Sequence, residues 1–197
     1  MNQKVLILGA AGQIARFAIP LFLERTDFQL TLFLRNAKRL KSLQSDRVKV
    51  VEGDVLDLAR LKEAMQGQDV VYANLSGQLE AQARNIVQAM HSAGVKRIIF
   101  ISSMGIYDEI PGEKHGSVLE PYIQSAAAIE ASDLDYTIIR PEWLNNKDEI
   151  DYETTQKGVP FKNPRALVSR KSIADLIVKL AKTPELETRH SLGVNKP

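Results

Sequence analysis

A chain of 197 residues with 44% hydrophobic and 25% charged side chains has the size and composition of one α/β domain with a sizeable core, and the absence of cysteine excludes disulfides, thiolate nucleophiles and cysteine metal sites. Its 26 Lys and Arg are interleaved with 24 Asp and Glu, leaving a formal charge of +2 and no case for nucleic acid. No apolar run approaches the roughly 20 residues that span a bilayer, and no basic leader precedes the first strand, so a cytoplasmic protein is expected.

Four consecutive apolar residues, Val5 to Leu8, run into Gly9-Ala10-Ala11-Gly12-Gln13-Ile14-Ala15 and then into an amphipathic segment from Arg16 to Arg25. This predicts a buried parallel strand, a tight turn and a helix, the arrangement of a dinucleotide site. Gly9 can take backbone angles that a side chain forbids, Gly12 lets a pyrophosphate approach the main chain, and Ala15 lets the helix lie close on its strand. The first helical turn then offers unpaired N–H groups to phosphates. The spacing Gly-x-x-Gly-x-x-Ala is looser than Gly-x-Gly-x-x-Gly, and alone it also fits a strand-helix turn packed with small residues.

Asp27 to Leu34 reads as the second strand, Asn36 as the cap of a short helix over 37–43, and Val48 to Val51 as the third strand. Asp57 caps a helix through Met65 that Gly67 ends; Asp69 to Ala73 is the fourth strand, followed by Asn74-Leu75-Ser76-Gly77 and a helix from Leu79 to Ser92 stopped by Gly94. Lys96 to Ile101 is the fifth strand. A loop over 108–117 and a helix of small residues over 125–132 precede the sixth, Asp135 to Ile139. This alternation predicts one domain over 1–197, a doubly wound, mostly parallel Rossmann-like sheet ordered 3-2-1-4-5-6. From Pro141 the pattern is less regular, with a strand near Tyr152 to Thr155, a helix from Lys171 to Ala181 and a short strand near Leu192. The segment 141–197 is expected as a small irregular extension over the crevice, on the substrate side.

Arg35 ends the second strand, where an acidic residue would receive the ribose hydroxyls of NAD. An arginine there, backed by Lys38 and Arg39, suits the 2'-phosphate of NADP instead, which makes NADPH the preferred cofactor and NAD the alternative. Arg35 also reads as a solvated residue beyond a strand. Asp54 is placed to approach the adenine side or to cap its own turn. Ser103, beyond the fifth strand, and Tyr122, at the start of the next helix, form a candidate catalytic pair: both can hydrogen-bond a carbonyl oxygen beside the nicotinamide, and Tyr122 can donate its proton as hydride arrives. A packing role for Tyr122 fits equally. Met104, Ile106, Tyr107 and Trp143 could line an apolar substrate pocket or serve the core. His91, His115 and His190 lack metal spacing and read as surface or cap residues.

Four motifs, Gly9 to Ala15, Ser102-Ser103-Met104-Gly105-Ile106-Tyr107, Leu134 to Leu144, and Ser169-Arg170-Lys171-Ser172-Ile173-Ala174, together resemble the atypical short-chain dehydrogenase/reductase superfamily, specifically small NmrA-like NAD(P)H-binding proteins. The resemblance covers essentially the whole chain. It implies that Gly9, Gly12 and Ala15, with Gln13 and Ile14 between them, surround the pyrophosphate, Arg35 the adenosine phosphate, and Asp54 with Val55 the adenine. Leu75, Ser76 and Gly77 would lie along the cofactor, and the loop Arg140 to Leu144 near the nicotinamide. Catalytic members carry a lysine after three residues beyond the active tyrosine; here Ala126 holds that place, and no lysine lies between Tyr122 and Arg140. Without that cation the phenol is an adequate proton donor and a poor acceptor in reverse.

The expected function is therefore an NADPH-dependent reductase passing hydride to a small carbonyl, quinone or flavin-like acceptor. The alternative is a non-catalytic redox sensor that binds the dinucleotide and reports to a regulatory protein partner. An epimerase or dehydratase holding NAD is a third reading, against which Arg35 and the short C-terminal segment argue. Glu130, on the helix of Tyr122, could order that helix, reach Arg140, or stand solvated. A homodimer is expected by fold analogy, with neither membrane nor nucleic acid as partner.

Overall fold

Val5 to Leu8 are wholly buried because their strand, β1 (Lys4–Leu8), lies inside a sheet covered on both faces, which a continuous apolar run requires. The computed structural model describes residues 2–110, 112, 116–161 and 163–197; His115 lies outside them. After β1 come α1 (Ala15–Arg25), β2 (Gln29–Leu34), a 3-10 helix Ala37–Leu43, β3 (Val48–Glu52), α2 (Leu58–Met65), β4 (Val70–Ala73), α3 (Leu79–Ala93) and β5 (Arg97–Ile101). A short 3-10 turn Ser117–Leu119 leads into α4 (Glu120–Glu130) and β6 (Asp135–Pro141). The remainder holds β7 (Leu144–Asn145), β8 (Glu153–Gln156), β9 (Val168–Ser169), α5 (Arg170–Lys182) and β10 (His190–Asn195).

The main sheet runs β3-β2-β1-β4-β5-β6-β10-β8, which contains the predicted order of six and adds two strands from the tail. All neighbours are parallel except β8, which pairs antiparallel with β10. Alternate residues of β1 feed two cores: Val5 and Ile7 pack toward α1 and α5, Leu6 and Leu8 toward α2, α3 and α4. The predicted caps form, Asn36 accepting from the Lys38 amide at 3.2 Å and Asp57 from Arg60 at 3.1 Å.

Two elements differ from the sequence reading. Helix α4 begins at Glu120, five residues before the expected start, because Pro121 sits in its first turn, where a missing N–H costs nothing. The tail is also more regular than its composition suggests. β10 lies inside the sheet although its sequence is polar in part, and Gly193 is needed there because a Cβ would come within 2.5 Å of the Phe161 ring. Residues 142–144 and Arg170 still rim the crevice. Among the described residues no helix is long and apolar enough to cross a membrane.

Candidate functional site: two adjoining cavities at the strand ends

Two cavities open at the carboxyl ends of the parallel strands, where a doubly wound sheet places its ligand crevice. The first, about 210 Å³, is bounded by the turn after β1, the ends of β2 and β3, and the loop after β4. The second, about 590 Å³, lies between the loops after β5 and β6 and the start of α4. Asn74 and Leu75 line both, so the cavities adjoin.

Gly9 turns the chain with φ +73°, and a Cβ there would stand 2.1 Å from the Asn74 carbonyl oxygen. Gly12 answers to the same residue: a Cβ there would lie 1.9 Å from Asn74 Nδ2, so a larger residue would have to displace the Asn74 side chain. No side chain caps α1, and the amides of Gln13, Ile14 and Ala15 find no acceptor among the described residues. Uncapped first-turn amides beside a glycine turn are suited to phosphate oxygens. The side chains divide differently: Gln13 points to solvent, Ile14 lines the second cavity, and Ala15 is buried under α1.

Arg35 and Arg39 stand exposed at the first cavity, with Lys38 outside its walls. Asp54 caps its own turn, Oδ1 accepting from the Leu56 amide at 2.9 Å, and it lines the cavity; Val55 lines it too. Leu75 and Ser76 continue the wall and Gly77, at φ +91°, lies just beyond it. Gln82 was not visible in the sequence as a site residue. Its Nε2 donates to the Ser76 carbonyl at 3.2 Å, while Oε1 has no protein partner. This polar trough, with amides at one end and two guanidinium groups at the other, fits a dinucleotide.

Ser103, Met104, Tyr122 and Trp143 all line the second cavity, and Trp143 is 66% exposed at its rim. Neither the Ser103 nor the Tyr122 hydroxyl has a hydrogen bond to a described residue. Ala126, where a lysine would support the tyrosine, is 1% exposed and packs into the core beneath α4.

Tyr107 and Arg140 require correction. Tyr107 faces away from the cavity: its hydroxyl donates to Glu130 at 2.8 Å, Lys157 lies 4.1 Å over its ring, and burial pushes the phenol well above its usual range. Arg140 is wholly buried and lines neither cavity. Its Nη1 pairs with Glu109, Nε donates to Ser191 Oγ at 3.1 Å and Nη2 to the Ser191 carbonyl at 3.2 Å. The guanidinium therefore turns toward β10, and Glu130 binds Tyr107 and Lys157 instead of reaching it. Glu109, unmarked in the sequence, also accepts from the amides of Gly105 at 3.1 Å and Tyr107 at 2.8 Å. It ties the loop bearing Ser103 and Met104 to Arg140.

Glu142 follows β6 on the cavity side. It is 3% exposed, neither carboxylate oxygen meets a well-formed hydrogen bond among the described residues, and desolvation pushes its pKa up to about 7 although the nearby Ala166 amide, itself donating to the Asn163 carbonyl at 3.2 Å, acts to lower it. The sequence marks it only as one letter of a motif. His91 pairs with Asp133 and His190 with Glu187 at 2.6 Å, both at the surface.

Residues 9–184 match the NAD(P)H-binding family. The chain is 27% identical over 206 residues to the uncharacterized sugar epimerase YhfK of Bacillus subtilis, covering 94% of this chain and 91% of that one. It is 26% identical over 145 residues to Quinone oxidoreductase 2 of Escherichia coli, covering 72% of this chain and 49% of that one, so the match spans about half of that relative's length. Among solved structures, a Rossmann-fold NAD(P)-binding family protein from Shigella flexneri is 44% identical with a TM-score of 0.90, covering 100% of this chain and 95% of that one. A wide-type short-chain dehydrogenase/reductase from Veillonella parvula, solved in complex with NADP, is 29% identical with a TM-score of 0.90, covering 100% and 96%. The fold, the glycine turn and these matches agree: the chain belongs to the NAD(P)H-binding family of atypical short-chain dehydrogenases/reductases.

Proposed function

We propose that the protein is a cytoplasmic NADPH-dependent reductase acting on a small conjugated carbonyl, quinone or flavin-like acceptor. The observation that carries this reading is the pairing of a polar trough ending in Arg35 and Arg39 with a larger adjoining cavity lined by unpartnered hydroxyls. When bound, the dinucleotide supplies hydride. The chain's own residues bind and orient: the α1 amides face the pyrophosphate, Arg35 and Arg39 the 2'-phosphate, Asp54 and Val55 the adenine, and Leu75 and Ser76 the path toward the nicotinamide. Ser103 and Tyr122 hydrogen-bond the acceptor oxygen and polarise it toward hydride. The similar protein solved with NADP supports the cofactor preference, and a relative named as a quinone oxidoreductase supports the acceptor class.

Ala126 gives a second reading its footing. With no lysine beside Tyr122, a sensor that binds the dinucleotide without turning it over is the competing function. Titration with NADPH and NADH, followed by consumption assays with quinone, flavin and dicarbonyl acceptors, separates the two. Tight NADPH binding with turnover is expected, and Tyr122→Phe should lower turnover more than cofactor affinity. Binding without turnover across the panel favours the sensor, and no binding of either nucleotide defeats both.

A further inference from the structure

A carboxyl group removed from water with no donor to satisfy it is costly, and natural interiors rarely tolerate one. Glu142 is such a group, and it is not alone. Ser102 Oγ and Arg170 Nε are also buried without a hydrogen bond to a described residue, Arg170 Nη1 donating to Asn146 at 2.9 Å, and all three residues line the second cavity. They come from separate parts of the chain: Ser102 follows β5, Glu142 follows β6, and Arg170 opens α5. An acceptor, a hydroxyl and a cationic donor thus share the lining of a space otherwise bounded largely by apolar groups. The Glu142 main chain is fixed by its own amide, which donates to the Val194 carbonyl at 3.0 Å.

We infer that Glu142 is the proton donor of this site, presenting its carboxylic acid to the carbonyl oxygen of a conjugated acceptor, with Ser102 and Arg170 completing the polar end of the acceptor's berth. The inference rests on the reductase reading of the same cavity. In the step, the acceptor carbon gains hydride from the reduced dinucleotide and the carbonyl π pair moves onto oxygen. That oxygen takes the proton of Glu142 as the acid's O–H bond breaks. The carboxylate left behind recovers a proton from water at the open mouth. One hydride and one proton enter the acceptor, and the dinucleotide leaves oxidised.

An acid whose pKa stands near the working pH is both protonated enough and acidic enough to serve. Burial pushes the Glu142 carboxyl up to about 7. Among the described residues, the other charged or titratable groups lining this cavity are Arg170 from α5, Asp108 from the loop after β5 and Tyr122 from α4. Arg140, two positions before Glu142, is turned away and neutralised by Glu109. Among the described residues no lysine or arginine forms an ion pair with Glu142.

The test pairs a spectroscopic titration with kinetics on the NADPH-loaded protein. Infrared difference spectra taken across pH should show a protonated carboxyl band that disappears near pH 7 and is missing in Glu142→Gln. In turnover with a quinone or dicarbonyl acceptor, Glu142→Gln should lower kcat by about a hundredfold or more, keep NADPH affinity within about twofold, and abolish the fall of kcat at alkaline pH. Tyr122→Phe should lower kcat while keeping that fall. A thermal midpoint of Glu142→Gln at or above wild type at alkaline pH shows that the variant folds. Glu142 already ionised at acid pH would overturn the inference. So would a wild type that turns over alongside a Glu142→Gln protein of equal kcat and unchanged pH profile, and this outcome leaves the reductase reading standing. A wild type without turnover on any acceptor removes both.

Discussion

Arg140 and Glu142 stand two positions apart at the end of β6, exposed by 0% and 3%, and their surroundings are opposite. On the β10 side, each nitrogen of the Arg140 guanidinium has a partner: Glu109, the Ser191 hydroxyl, and the carbonyls of Ser191 and Thr155. On the crevice side, Glu142 lies buried in the wall of the second cavity with neither oxygen satisfied by a described residue. Both residues carry the same cost of leaving water. The guanidinium recovers it within the fold, whereas the carboxyl recovers it by staying protonated or by meeting a ligand. Burial alone does not tell a structural charge from a functional one; the partner count does.

Breaking the satisfied side should have the largest effect. Glu109→Ala strands a buried guanidinium and frees the loop from Gly105 to Tyr107, and should cost about 3–5 kcal/mol in urea unfolding. Adding Arg140→Met should recover much of that loss, because the uncompensated charge is then gone. A third kind of charge, exposed and awaiting a ligand, sharpens the contrast. Arg35→Ser should weaken NADPH binding by about 2 kcal/mol, in the range for a charge-assisted phosphate contact, while NADH binding and unfolding stay nearly unchanged; calorimetric titration of both nucleotides reads this directly.

A further effect concerns Glu142 itself and has a definite sign. Its folded pKa is about 7 against an ordinary value of 4.5, so over that interval the folded chain keeps a proton that the unfolded chain has released. Its contribution to stability therefore falls as pH rises from about 4.5 to about 7 and levels off above. Comparing unfolding midpoints of the wild type and Glu142→Gln through this range should show a declining difference curve, with the variant relatively more stable at the alkaline end. A flat difference would mean that the carboxyl is solvated in the folded state.

The strand order, the glycine turn and the position of Arg35 were legible because they rest on local signals: an apolar run, a spacing, and the residue that ends a strand. Arg140 and Tyr107 were misplaced because what decides their direction comes from far away. Ser191 lies fifty-one positions beyond Arg140, and Glu130 twenty-three beyond Tyr107. The sequence offered a pyrophosphate as the reason for Gly12, whereas the fold adds another, since Asn74 from a different loop fills the space where a Cβ would stand. Gln82 gave no local signal, and Glu142 stood only inside the loop Arg140 to Leu144 that the family resemblance set near the nicotinamide; that the fold buries both depends on distant elements.

The place of β10 between β6 and β8 bears on how the chain avoids aggregation while it folds. Until residues 190–195 dock, β6 is the open edge of a parallel sheet, rich in Ile and otherwise ready to pair with a strand from another molecule. Arg140 stands on that edge with its charge paired to Glu109 and its other N–H donors still in want of acceptors, and so acts as a gatekeeper. Only a strand that brings the Ser191 hydroxyl and carbonyl to the guanidinium can close the edge without leaving those donors unsatisfied. The arginine that locks the finished sheet thus also selects which strand is allowed to finish it.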